Sequence, residues 1–109
     1  MRPNLPKGEK TMTIAKTKTE NTLTIALGDR LDTITAPELE AELRDSLEGI
    51  TELIFDLQHL DYISSAGLRV LLSAQKTMNR QGEMKVLHVN ETIGEIFEVT
   101  GFSDILTIE

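Results

Sequence analysis

Leu53-Ile54-Phe55-Asp56-Leu57-Gln58-His59-Leu60-Asp61-Tyr62-Ile63-Ser64-Ser65-Ala66-Gly67-Leu68-Arg69-Val70-Leu71-Leu72 decides the fold of this chain. The apolar run at its start reads as a buried strand, and a short polar loop is expected after it. Two serines, a pair of small residues and a helix with apolar periodicity follow. Ser64 and Ser65 therefore stand where a helix begins, with unpaired backbone N–H groups and the positive end of the helix dipole facing outward. Serine is a favoured N-cap, which alone accounts for a serine there. The same position also tolerates a phosphate on a hydroxyl, because N–H donors and dipole both favour an anion.

Working outward, Glu52 to Leu57 is the third of the expected strands and the most apolar, as a central strand is. Before it, the loose alternation from Met12 to Thr19 and the cleaner one from Thr22 to Leu27 predict a β-hairpin turning at Glu20-Asn21. Gly28-Asp29-Arg30 is expected to end the second strand. Thr35-Ala36-Pro37-Glu38 has the capping-box pattern, with proline in the first turn. Leu39, Leu43 and Leu47 recur along one helical face, with Glu38, Glu42, Asp45 and Glu48 opposite and Gly49 as the stop.

After Ser65, Leu68, Leu71, Leu72 and Met78 mark the buried side of a second helix that Gly82 ends. Arg69, Ser73, Lys76 and Arg80 form its other stripe, the one basic helix face of the chain and a candidate docking surface. Met84 to Val89 reads as a strand. Asn90 caps a third helix with Ile93, Ile96 and Phe97 inward, Gly101 ends it, and Ile105 to Ile108 is a short last strand. The order ββαβαβαβ predicts an α/β domain with one mixed, mostly parallel β-sheet covered by helices.

Composition narrows the function classes. At 109 residues the chain holds one domain, and residues 1–11 read as a disordered leader before a domain at 12–109. A net charge of −7 opposes nucleic-acid binding, since neutralising phosphates needs a basic surface. No apolar run is long enough for membrane insertion, and residues 1–10 lack the apolar core of a secretory signal. Cysteine is absent, which removes disulfides and thiolate chemistry and fits a cytoplasmic location.

Enzyme patterns are also missing from the sequence. His59 and His88 lack metal-ligand spacing to carboxylates. No glycine-rich phosphate cradle appears. A hydrolase built on Ser65 would need a nucleophile elbow, and Ile63 stands where its first glycine belongs. Asp29, Asp32, Asp56 and Asp61 are placed to converge near the strand ends, although loop aspartates commonly serve as caps and turns. The reading is a non-enzyme that needs no cofactor and no metal.

Asp56-Leu57-x-x-Leu60-x-Tyr62-Ile63-Ser64-Ser65-Ala66-Gly67-Leu68 resembles the signature segment of STAS domains of the anti-sigma factor antagonist family. Gly28-x-Arg30-Leu31-Asp32-x-x-Thr35-Ala36 and the pair Gly82-x-Met84-x-Val86 and Ile96-Phe97-x-x-x-Gly101-Phe102 are similar to further family segments, in the family's order. The resemblance implies a STAS-type domain that binds an ATP-dependent serine kinase, itself an anti-sigma factor, and so frees the sigma factor. It implies that the kinase phosphorylates Ser65, ending the complex, and that a serine phosphatase reverses this. Asp32 matches an acidic loop residue beside the acceptor. An aspartate often precedes the acceptor in the family; here Ser64 stands there and is a rival acceptor. The partner-binding set expected around this point is Asp32, Thr35, Ser64, Ser65, Ala66, Gly67 and Arg69. The smallness of Ala66 and Gly67 is expected to admit a close-approaching partner. The alternative that keeps the fold is an unphosphorylated STAS subunit of a larger assembly, such as a transporter-associated ATPase complex or a sensor scaffold.

Overall fold

A computed structural model describes residues 12–109; the leader expected over residues 1–11 lies outside the described residues. The hairpin forms as its alternation requires, with β1 (Met12–Thr19) antiparallel to β2 (Thr22–Leu31). α1 (Ala36–Ser46) leads to β3 (Glu52–Ile63), α2 (Ser65–Gln81) to β4 (Glu83–Leu87), and α3 (Glu91–Thr100) to a turn of 3-10 helix at Phe102–Asp104. The last expected strand is a single parallel bridge, Ile108 to Val86. The sheet order is β1-β2-β3-β4, with β2, β3 and β4 parallel.

Each crossover steps one strand further in the same direction, so right-handed connections stack the described α-helices on one face of the sheet. Burial follows. Leu23, Ile25, Leu53, Phe55, Met84 and Val86 point into one core with Leu39, Leu43, Leu71, Met78, Ile93 and Phe97. Their strand neighbours Thr24, Ala26, Ile54, Asp56 and Lys85 lie on the opposite face, half-buried.

The structure corrects the expected ends of the two central strands. β2 runs on through Gly28-Asp29-Arg30, and the supposed polar loop after Leu57 is the second half of β3. Two register shifts, between Ala26 and Gly28 and between Asp29 and Arg30, each place one extra residue in β3. Such bulges break alternation, so the buried positions Leu57, Leu60 and Ile63 fall three apart instead of two. The bulged halves carry β2 and β3 together to the place where α2 begins.

Helix boundaries differ less. In α2 the buried set includes Val70 and Ala74, because α1 packs beside it, and Leu72 is only half-buried. In α3 Asn90 Oδ1 accepts from the Ile93 N–H at 2.9 Å, the expected cap. Its amide also donates to the Leu60 carbonyl at 2.7 Å, tying the helix to β3. Gly101 closes α3 at φ +82°, a left-handed conformation that glycine adopts without strain. Gly67 is needed for space: a Cβ there would stand 2.6 Å from Leu31 Cγ and 2.9 Å from the Leu31 carbonyl oxygen.

Candidate functional site

Ser64 and Ser65 play different parts. Ser64, in extended backbone at φ −97° and ψ 176°, is the N-cap of α2, and its hydroxyl accepts from the Gly67 N–H at 3.5 Å. Its own N–H donates to the Leu31 carbonyl at 2.9 Å. Ser65 is the first residue of the helix and is exposed, and among the described residues its hydroxyl has no protein partner. Arg69 lies one turn further along α2, also exposed. Of two adjacent hydroxyls, one caps and the other is exposed.

Beside them runs the connection from β2 to α1. Asp32 Oδ1 accepts from the Ile34 N–H at 3.0 Å and the Thr35 N–H at 3.1 Å, while Oδ2 takes Arg30 Nε at 3.3 Å. Partial burial pushes the Asp32 carboxyl up, but these donors together with the Thr35 hydroxyl outweigh it and hold the group below the ordinary carboxylate range. Asp32 therefore stays ionised and clamps the loop.

The expected capping box does not form. The Thr35 hydroxyl donates to the Arg30 carbonyl and accepts from the Asp32 N–H, each at 2.8 Å, so it is consumed by the loop and caps nothing. Thr35 is buried, as is Gly67. Neither presents a side-chain surface to a partner: Thr35 fixes the loop, and Gly67 lets α2 approach Leu31. The smallness of Gly67 thus serves internal packing, while Ala66 remains half-exposed. Asp32, Ser64, Ser65, Ala66 and Arg69 are brought together at one end of the sheet, where α/β folds place ligands.

Ala66 and Arg69 line a groove of about 340 Å³ between α1 and α2, with Thr33, Pro37 and Ser73. Sequence reading missed three residues of this neighbourhood. Arg30 lies over the Tyr62 ring, 4.5 Å from its centroid, and Ile34 is 83% exposed at the loop tip. Arg30 and Tyr62 are register partners across the bulged strands, a relation hidden once the strands were ended early.

The other candidates separate. Asp29 accepts from the Thr13 hydroxyl, and Asp56 Oδ1 meets His88 Nδ1 at 3.0 Å. Burial raises the Asp56 carboxyl, but the Gln58 N–H and His88 bring it below its ordinary value. Among the described residues no three His, Asp or Glu side chains gather as a metal site would require. None of the described helices is long and apolar enough to cross a membrane.

Residues 13–109 match the family model of the STAS domain. The chain belongs to the STAS domain family. A Bordetella bronchiseptica relative of this STAS domain, named as a candidate anti-sigma factor antagonist, BtrV, is 35% identical over 99 residues, covering 89% of this chain and 85% of that protein. The anti-sigma-B factor antagonist of Staphylococcus aureus is 31% identical over 86 residues, covering 77% of this chain and 80% of its own. Among solved structures, the Bacillus cell fate determinant SpoIIAA in its phosphorylated form superposes on the STAS domain with a TM-score of 0.71 at 18% identity. That match covers 89% of this chain and 91% of SpoIIAA.

Proposed function

We propose that this STAS domain is an anti-sigma factor antagonist. While Ser65 is unmodified it binds an ATP-dependent anti-sigma factor serine kinase and so releases the sigma factor. The kinase ends the complex by transferring the γ-phosphoryl group of ATP to Ser65 Oγ, with ADP as leaving group and loss of the hydroxyl proton; a serine phosphatase hydrolyses the ester and restores binding. The names of the relatives support the antagonist role, and the SpoIIAA structure in phosphorylated form supports a phosphate on this fold.

The observation that carries the choice of residue is the division of labour at the head of α2. Ser64 is committed to the cap, whereas the Ser65 hydroxyl is exposed and unengaged among the described residues. A phosphate there adds about −1.5 to −2 charges. It would sit at the positive end of a helix, where an anion is favoured by about 0.3–1 kcal/mol, so the fold accepts it. A partner surface that fits a neutral hydroxyl does not. Enclosing an unmatched dianion costs far more than the about 1.4 kcal/mol that changes affinity tenfold. A local modification therefore ends binding without refolding.

Incubation with the kinase and ATP followed by peptide mass spectrometry tests this. One phosphate on Ser65, lost in Ser65→Ala while that variant still binds, is the expected result. A stoichiometric phosphate elsewhere with Ser65 untouched removes the mechanism. Binding to a transporter ATPase or sensor assembly with no phosphorylation would favour the subunit alternative.

A further inference from the structure

At about 100° per residue, Ser65, Arg69, Ser73, Lys76 and Arg80 fall within about 80° of one another around α2 and span about 22 Å along it. All five are exposed. Lys16, Arg30, Arg44 and Lys85 each sit in an ion pair with Glu42, Asp32, Glu40 and Glu52 respectively. Arg69, Lys76 and Arg80 have no ion-pair partner among the described residues, in a chain where 18 acidic residues face 11 basic ones. A cationic stripe left unneutralised amid surplus carboxylate is available to an external anion.

Building on the partner-binding reading above, we propose that this stripe is a docking surface for an acidic face of the partner protein, with Ser65 at its head. Charge complementarity selects the partner's chemistry. The net charge of −7 selects against a nucleic acid or an anionic membrane, whose extended negative fields repel the domain as a whole. A compact acidic patch on a protein interacts mainly within a Debye length and sees the stripe first. The arrangement also gives the phosphate a second effect. Its charge of about −1.5 to −2 falls on the stripe itself and offsets half or more of the three positive charges that steer docking.

The test uses the kinase of the source bacterium and variants remote from Ser65. Lys76→Glu/Arg80→Glu is expected to weaken binding by roughly tenfold or more, chiefly through slower association, and to flatten its salt dependence. Lys76→Gln/Arg80→Gln should fall between, while Lys18→Glu, an exposed reversal on β1, should bind like the parent. Circular dichroism melts confirm that the variants fold. Unchanged affinity in the double reversal, with the parent still binding and still released by phosphorylation, overturns the stripe and leaves the proposed function standing. Absence of any complex with the parent overturns both. Tight binding of duplex DNA or phosphatidylserine vesicles, abolished by the double reversal, overturns the assignment to an acidic protein.

Discussion

The backbone N–H of Ser64 donates to the carbonyl of Leu31 at 2.9 Å. This bond ties the head of α2 to the end of β2, and the chain then turns at once into the loop that Asp32 clamps. The exposed Ser65 hydroxyl, the ionised Asp32 and the exposed Ile34 are thus held in one frame by this backbone bond and by the Asp32 and Thr35 side-chain bonds that close the loop. A frame of this kind predicts that substitutions at Ser65 alter recognition without unfolding the domain.

Ser65→Ala and Ser65→Asp should each melt close to the parent, within about 0.5 kcal/mol, because the side chain is exposed and outside the special interactions that make substitutions costly. In titration calorimetry with the kinase, Ser65→Ala should bind like the parent and Ser65→Asp more weakly. Equal affinity of the two variants would show that charge at this position does not control the complex.

Ser64→Ala separates the cap from the acceptor. Loss of an N-cap typically costs about 0.5–2 kcal/mol, and the long 3.5 Å bond to Gly67 places this cap at the low end of that range. Urea unfolding should register the loss while Ser65 is still phosphorylated. Phosphate transfer that disappears in Ser64→Ala would make Ser64 the acceptor instead.

Gly67→Ala tests the close approach of α2 to β2. The added Cβ would press on Leu31 Cγ and on the Leu31 carbonyl, which cannot move without dragging the Ser64 bond. Overpacking of this kind costs about 1–3 kcal/mol. Chemical denaturation should show that loss despite alanine's better helix propensity.

Much of this frame was legible from residue types alone. The hairpin follows from its alternation, the three amphipathic helices from the period of their buried faces, and the β3 core from its apolar run. The bulged halves of β2 and β3 were not legible, because two extra residues in β3 convert alternation into spacing by three, which looks like loop. With them went the Arg30–Tyr62 stack, whose members are 32 positions apart in sequence and adjacent only through the shifted register. Thr35 misled for a different reason. Its capping-box context was real, but Asp32 supplies the acceptor for the N–H groups there and the threonine hydroxyl serves the loop.

The Asp32 clamp should show in the pH dependence of stability. Its carboxyl is held below the ordinary value, so the folded state favours the ionised form. The contribution is complete above the unfolded-state value of about 3.9 and fades as pH falls through the lower folded value. Asp32→Asn should therefore be less stable than the parent near neutrality, and the gap should narrow only in strong acid. Urea midpoints compared at neutral pH and below pH 4 check this. A gap independent of pH would mean that the clamp works through shape and not charge.

Ser65 and Arg69 are four positions apart on one helix face, the spacing at which side chains of opposite charge meet. Once Ser65 carries a phosphate, Arg69 is the nearest cation on that face of α2, so the phosphorylated domain should melt slightly above the unmodified one. Pairing and the helix dipole together suggest a gain of about 0.5–1.5 kcal/mol at low salt. Arg69→Gln should reduce the gain while leaving the part that comes from the N-terminal N–H groups. High salt should shrink both, since each component lies at the surface. Scanning calorimetry of the four species, parent and variant with and without phosphate, isolates the pairing as a coupling energy. A coupling of zero would assign the phosphate's whole effect on the fold to the helix end.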